Sequence, residues 1–299
     1  MLLQWVFRGQ ADASWSLSPS IERLLNRLPF GWPKFNPFRL EEHFRQKFMR
    51  YAHAFLSEEP TEENVLEWLA LVQHHGGPTT LLDVTHSFYV AAFFAFADVE
   101  VGRDVAIWAI CPQMIDACLL RKHPELREKT IPEAKNTRDP VKSRASQLGW
   151  RDRLTPGNWG ATVLEPYRMN ERLMVQQGAF LCSVGSQGTL QENIFGVFDL
   201  TPADVKQLLE PVTLTPKERF PGVVAKFVLA SNLRQDALMD LKRMNVTWAS
   251  LFPGLDGYAR QLYLELLVGP RPPWVEEEDP MAAMRAKAAQ RSKGTGIPD

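Results

Sequence analysis

The chain has 299 residues, 45% of them apolar, and carries 35 acidic against 34 basic side chains for a net charge of −1. That length holds one large core or two modest ones. The balanced charge argues against nucleic acid and against an anionic membrane as partners. The longest apolar run, 88–97, falls well short of the ~20 residues that a bilayer span requires. Residues 1–7 are too short for a signal-peptide core and lack a cationic start. Cys111, Cys118 and Cys182 are scattered, with neither metal spacing nor a disulfide framework, so a reducing cytoplasm is the expected location.

In chain order, residues 2–7 read as a strand running into Arg8-Gly9-Gln10. A helix through Leu28 follows, with Ser18 or Ser20 as its cap. Residues 29–37 hold Gly31 and prolines and predict a turn-rich connection. Leu40, Phe44, Phe48, Tyr51 and Phe55 recur at helical spacing, which predicts a helix over 40–55. Thr61 is placed to cap a further helix leading to Gln73, and Gly76-Gly77-Pro78 forces a turn after it. Residues 88–97 are alanine-rich and fit a buried helix better than a strand.

Residues 105–110 predict a short strand, closed by Pro112. Over 121–160 hydrophobicity collapses; ten basic against five acidic residues make the segment locally +5, a surface flap or insertion too polar to build core. Order resumes over 168–181. Residues 193–198 and 223–229 read as strands, 234–244 as a helix, 249–257 as a compact turn, and a last helix runs to about Val268. Residues 271–299, with an acidic knot and a basic alanine-rich end, read as a disordered tail or one that binds by charge. A helix-rich front and a strand-rich back predict an α+β class: a single domain over 1–270 with a mixed or antiparallel sheet, not an alternating βαβ array.

The richest stretch for chemistry is 73–87, where polar and titratable groups are wedged between two apolar segments. Such side chains either stitch the fold together or face a cleft, because burying them unpartnered is costly. His74 or His75 could serve as a general base or a cofactor clamp; adjacent histidines point different ways, and neither has a partner at metal-binding spacing. Arg8, directly after a buried-looking strand, suits a bidentate grip on a pyrophosphate or a structural pair with Asp83 or Asp256. Asp83 is equally placed to cap a helix near Ser87.

Four segments in this order resemble the FRG domain family: Phe7-Arg8-Gly9-Gln10, the 73–85 stretch, 172–180 (Arg-Leu-Met-Val-Gln-Gln-Gly-Ala-Phe), and 251–259. The resemblance spans roughly residues 3–267. It departs from the family pattern at Thr80, where the family usually has arginine, and at Val84, where it has tryptophan. A more distant similarity is to mono-ADP-ribosyltransferases, whose fold opens with an aromatic-Arg-Gly strand. That likeness implies NAD as the nucleotide ligand. Arg8, with Gly9 and Gln10, would hold its phosphates. Gln73, His75, Thr79, Thr80, Asp83 and Thr85 would hold the nicotinamide ribose side. Catalytic roles would fall to His74, Gln176, Gln177 and Glu171, with Glu171 or Glu165 supplying a carboxylate for an oxocarbenium-like transition state. The resemblance also implies a toxin or phage-conflict effector with a protein target or a neutralising partner. The competing reading is a non-catalytic nucleotide- or protein-binding module built on the same polar residues.

Overall fold

A computed structural model of the chain describes residues 4–29, 36–98, 102–124, 159–166, 168–185, 188–200 and 224–268. Val6–Gln10 forms β1, so the Phe-Arg-Gly motif lies within the strand and not after it. Phe7 and Gly9 point to one face of the sheet, and Val6, Arg8 and Gln10 to the other, by simple strand alternation. The remaining described strands are β2 (Leu81–Thr85), β3 (Val105–Ile110), β4 (Ala161–Leu164), β5 (Gly178–Ser183) and β6 (Val224–Leu229). They form one sheet in the order β4-β5-β2-β1-β3-β6, with every neighbouring pair antiparallel. The class is α+β.

Helices cover both faces. On one, α5 (Pro112–Lys122) and α7 (Leu190–Val197) pack over Val6, Val84, Trp108 and Leu181. On the other, α4 (Phe88–Ala97), α8 (Arg234–Arg243), α9 (Trp248–Leu251) and α10 (Leu255–Val268) bury Val105 and Ile107. The expectation of a buried helix over 88–97 holds: Val90, Phe93 and Phe96 are almost fully enclosed, each contributing on the order of 2 kcal/mol of apolar burial. Ser87, not Asp83, caps α4, by accepting from the Val90 N–H at 3.3 Å. Asp83 sits mid-strand in β2.

Gly9 is required where β1 meets α4. A Cβ at that position would lie 1.9 Å from the Ala91 carbonyl oxygen, so the strand and helix backbones touch where the side chain is missing. Gly76 ends α3 (Val65–His74) with a φ of +80°, a left-handed value that glycine adopts freely. The Gly77 N–H then donates to the Val72 carbonyl at 2.8 Å, which completes the predicted turn.

Several local expectations shift. The 40–55 helix is α2, Pro37–Ala52, because Asn36 caps it and Pro37 suits a first helical turn. Thr61 does not cap α3; its carbonyl instead accepts the Trp68 indole N–H at 3.1 Å. Residues 193–198 are helix, not strand. Thr189 and Glu192 form a reciprocal capping box, and Leu190, Ile194 and Val197 recur at helical spacing on the core side, overriding the strand preference of the β-branched residues. Pro112 starts α5 as well as closing β3. The 168–181 segment resolves into α6 (Glu171–Val175), a turn, and β5. Trp248–Leu251, which overlaps the start of the expected 249–257 turn, is one helical turn capped by Thr247. Strand β4, four buried residues after the polar stretch, was not expected. Most of the 121–160 flap and all of the 271–299 tail lie outside the described residues. No described helix is long and apolar enough to cross a membrane.

The first helix, α1 (Ser20–Arg27), carries Glu22 into the core at 5% exposure. Its Oε1 accepts the Leu190 N–H at 2.7 Å, at the N-terminus of α7. Burial raises its carboxyl to about 7 from an ordinary 4.5, with the Leu190 bond pulling the other way. The folded chain thus holds a proton that the unfolded chain releases between these values, and stability falls as pH rises through that window.

Two stability predictions follow from these contacts. Glu22→Gln keeps the acceptor and removes the titration, so its advantage over the wild type in urea unfolding should grow by about 3 kcal/mol between pH 4.5 and pH 8; an advantage unchanged with pH would contradict the buried-proton account. Gly9→Ala should cost roughly 3 kcal/mol in the same measurement, since backbone must move from backbone.

Candidate functional site

β1 pairs with β3 along its whole length and β2 with β5 along its own, but β1 and β2 are joined only at Phe7 and Thr85. Beyond that pair the two central strands part. The gap is the floor of a cleft of about 880 Å³. Arg8 spans it: Nη1 donates to the Asp83 carbonyl oxygen at 2.9 Å, where a paired strand would have supplied an amide. The Asp83 carboxylate lies 3.9 Å away, long for an ion pair.

The carboxylate is held from the far side. Gln73 Nε2 donates to Asp83 Oδ1 at 2.6 Å, and the Thr79 hydroxyl donates to Gln73 Oε1. Thr79 in turn receives the Leu81 N–H at 3.3 Å, and its own N–H donates to the Ser20 hydroxyl at 2.9 Å. The third motif closes the wall. Thr85 Oγ1 donates to the Gln176 carbonyl at 2.6 Å, and Gln176 Nε2 donates to the Leu251 carbonyl at 2.9 Å. Arg172 stacks 4.3 Å over the Phe252 ring. Three of the four sequence segments therefore line one cavity, and the fourth, through Leu251 and Phe252, backs Gln176 and Arg172.

Its charge is cationic. Arg8, Arg23, Arg27 and Arg172 line it against Asp83 and Asp98. Burial lowers the pKa of Arg8, with Asp83 opposing and Arg23 adding to the effect. Burial likewise lowers Arg23 and Arg172, and each feels the same Asp83. All three guanidiniums interact with the Asp83 carboxylate, and the Arg8 Nε is sealed without a hydrogen-bond partner among the described residues. Crowded, under-neutralised arginines are poised for a multivalent anion.

Of the expected ligand contacts, Arg8, Gly9, Gln10, Asp83, Thr85 and Gln176 line the cleft. Gln10 is committed within the protein: its amide donates to the Ser16 carbonyl at 2.9 Å and accepts the Trp108 indole N–H at 2.8 Å. Gln73 and Thr79 stand behind the wall. Thr80 is buried against α2, its N–H and hydroxyl both donating to Glu41 Oε1. His74 and His75 are at the exposed end of α3 and do not line the cavity; His75 stacks on Phe48 with centroids 6.2 Å apart. Burial, then His75 and Arg172, lowers the His74 pKa below the usual histidine value. Gln177 adopts φ +48° in the turn before β5, and its carbonyl accepts the His86 N–H at 2.9 Å. Glu171 begins α6 off the cleft, and Glu165 pairs with His86 at 3.1 Å. Arg23, Arg27 and Trp15 line the cavity without having been singled out in the sequence. The four-residue spacing of Arg23 and Arg27 along α1 was the available sign. Among the described residues no group of three His, Cys, Asp or Glu is placed to hold a metal ion.

Residues 3–103 match the family model of the FRG domain. The chain carries an FRG domain. The match includes β1, the 73–85 stretch and α4, and so supplies the parting strands of the cleft. Arg172 and Gln176, and the Leu251–Phe252 turn that backs them, lie C-terminal to the matched segment. No curated protein and no solved structure matches the chain.

The arginine cluster makes a direct binding prediction. By calorimetry, inorganic pyrophosphate should bind with a salt-dependent affinity that Arg8→Ala weakens roughly ten-fold or more. Asp83→Asn removes the competing charge and should tighten the same anion several-fold.

Proposed function

We propose that the cleft binds NAD by its diphosphate and breaks the bond between ribose and nicotinamide, acting as an ADP-ribosyltransferase or NAD glycohydrolase. The observation that carries this reading is the set of three guanidiniums, Arg8, Arg23 and Arg172, that all interact with the Asp83 carboxylate in a cavity opened by parted strands. The arginines hold phosphate oxygens. Asp83, fixed on one oxygen by Gln73, offers negative charge to the ribose. As the C1′–N bond breaks, nicotinamide leaves with the electron pair and the sugar becomes oxocarbenium-like, which the carboxylate stabilises. A new C1′–O bond to water, with loss of a proton to solvent, completes hydrolysis; a nucleophile on a protein target in place of water completes transfer. In this reading Gln176 shapes the wall, and His74, His75, Glu171 and Gln177 take no direct part. The aromatic-Arg-Gly opening of β1 supports the same assignment by resemblance. Turnover of NAD, or modification of a target, would suit the toxin or phage-conflict role that the resemblance implies.

One observation favours a non-catalytic nucleotide-binding module instead. The hydroxyls of Thr79, Thr80 and Thr85 and the side-chain amides of Gln73 and Gln176 are all engaged with protein partners.

Following nicotinamide release from NAD separates the two. Asp83→Asn should lower kcat by about 100-fold without raising KM and with the melting temperature preserved, whereas Arg8→Ala, which also removes the bridge to β2, should raise KM and lower the melting temperature. Thermal stabilisation by NAD without turnover would support the binding module, and neither response would overturn both.

A further inference from the structure

Between β1 and α1 the chain runs over the rim of the cleft in a loop that carries Trp15. The loop is tied down on both sides of this residue. The Ala13 N–H donates to the Asp104 carbonyl at 2.7 Å, and the Ala13 carbonyl accepts from Lys226 Nζ at 2.6 Å. Asp12 accepts the Ser14 N–H at 2.7 Å and hydroxyl at 2.6 Å, and Arg103 Nη1 at 2.7 Å. The Ser14 bonds, reinforced by Arg103, hold the Asp12 carboxyl below the usual carboxylate range, so this anchor stays ionised at neutral pH. Gln10, itself locked to Trp108, secures Ser16.

Yet Trp15 is 53% exposed, and it has no ring partner among the described residues. It lines the same cavity as Arg8, Arg23 and Arg27. An indole left in water forgoes apolar burial, and a mobile loop is not the reason, because the backbone before it is bonded to Asp104 and Lys226 and the backbone after it to Gln10 of β1. A rigid aromatic face at the mouth of an arginine-lined cavity has the chemistry of a base-stacking platform: every nucleobase presents a π-face, and stacking needs no hydrogen-bond match.

We propose that Trp15 is a specificity-determining residue that stacks the heteroaromatic ring of a nucleoside diphosphate whose phosphates the cleft arginines hold. The proposal rests on the nucleotide-cleft reading above and narrows it, since it makes the ligand one with a ring as well as an anionic group. Stacking also orients: with the ring fixed at the rim and the diphosphate on Arg8, the sugar between them has few ways to lie.

The test compares ligands with and without a ring. Titrate wild type, Trp15→Ala and Trp15→Phe with ADP-ribose, nicotinamide mononucleotide and inorganic pyrophosphate by calorimetry. Trp15→Ala should weaken a ring-bearing ligand roughly ten-fold or more, the effect expected of one lost base–aromatic stack, while leaving pyrophosphate unchanged. Trp15→Phe should recover most of the loss. A loss confined to ADP-ribose assigns the purine to Trp15, and one confined to nicotinamide mononucleotide assigns the nicotinamide. An equal effect on pyrophosphate, or no effect on any ligand, overturns the platform and leaves the arginine site standing. Wild-type binding of pyrophosphate but of neither nucleotide does the same. Failure of the wild type to bind all three overturns the nucleotide reading, and this inference with it.

Discussion

The architecture turns on a break in its own sheet. Strands β1 and β2 are neighbours, yet after Phe7 and Thr85 they separate, and a side chain takes over where backbone pairing stops. Backbone groups at the centre of a sheet cannot be left without partners at low cost. Arg8 resolves this by donating to the Asp83 carbonyl, and in doing so it brings a cation to the bottom of the gap. The same contact that tolerates the break gives the cavity its charge.

The Phe-Arg-Gly motif then has a physical account residue by residue. Phe7 sits edge-on to Phe88 at 5.6 Å and closes the paired end of the strands. Arg8 projects from the opposite face of β1 and reaches across to β2. Gly9 lets α4 approach to backbone contact, which keeps the helix close beneath the opening. Any side chain there would push α4 off the sheet and change the width of the gap that Arg8 must span. The motif is a strand end, a bridge and a spacer in three successive positions.

Much of this was legible in the sequence, and the reason is periodicity. The 40–55 and 88–97 helices announce themselves by apolar spacing or by alanine content, and Gly76-Gly77-Pro78 leaves little choice but a turn. The polar 73–85 stretch was recognisable as a place where burial and chemistry conflict. Which of its residues face the cleft was not legible. Asp83 and Thr85 do, and His74, Thr79 and Thr80 do not, because that choice depends on strand alternation and on partners far away in sequence, such as Glu41 and Gln176. Residues 193–198 were misread because Ile194 and Val197 favour strands, while the decisive capping box lies just upstream at Thr189. Arg23, Arg27 and Trp15 were missed for a similar reason. An arginine on a surface helix and a tryptophan in a loop look ordinary until the fold brings them to one rim.

The break has a mechanical side. On one flank lies β4-β5-β2 and on the other β1-β3-β6, two half-sheets joined edge to edge by one residue pair and one arginine contact, and held together by the helices packed over both. A molecule lying in the gap touches both flanks at once, so the free energy with which it binds is also cohesion between them. Whatever occupies this cavity acts as the missing rungs of an interrupted ladder.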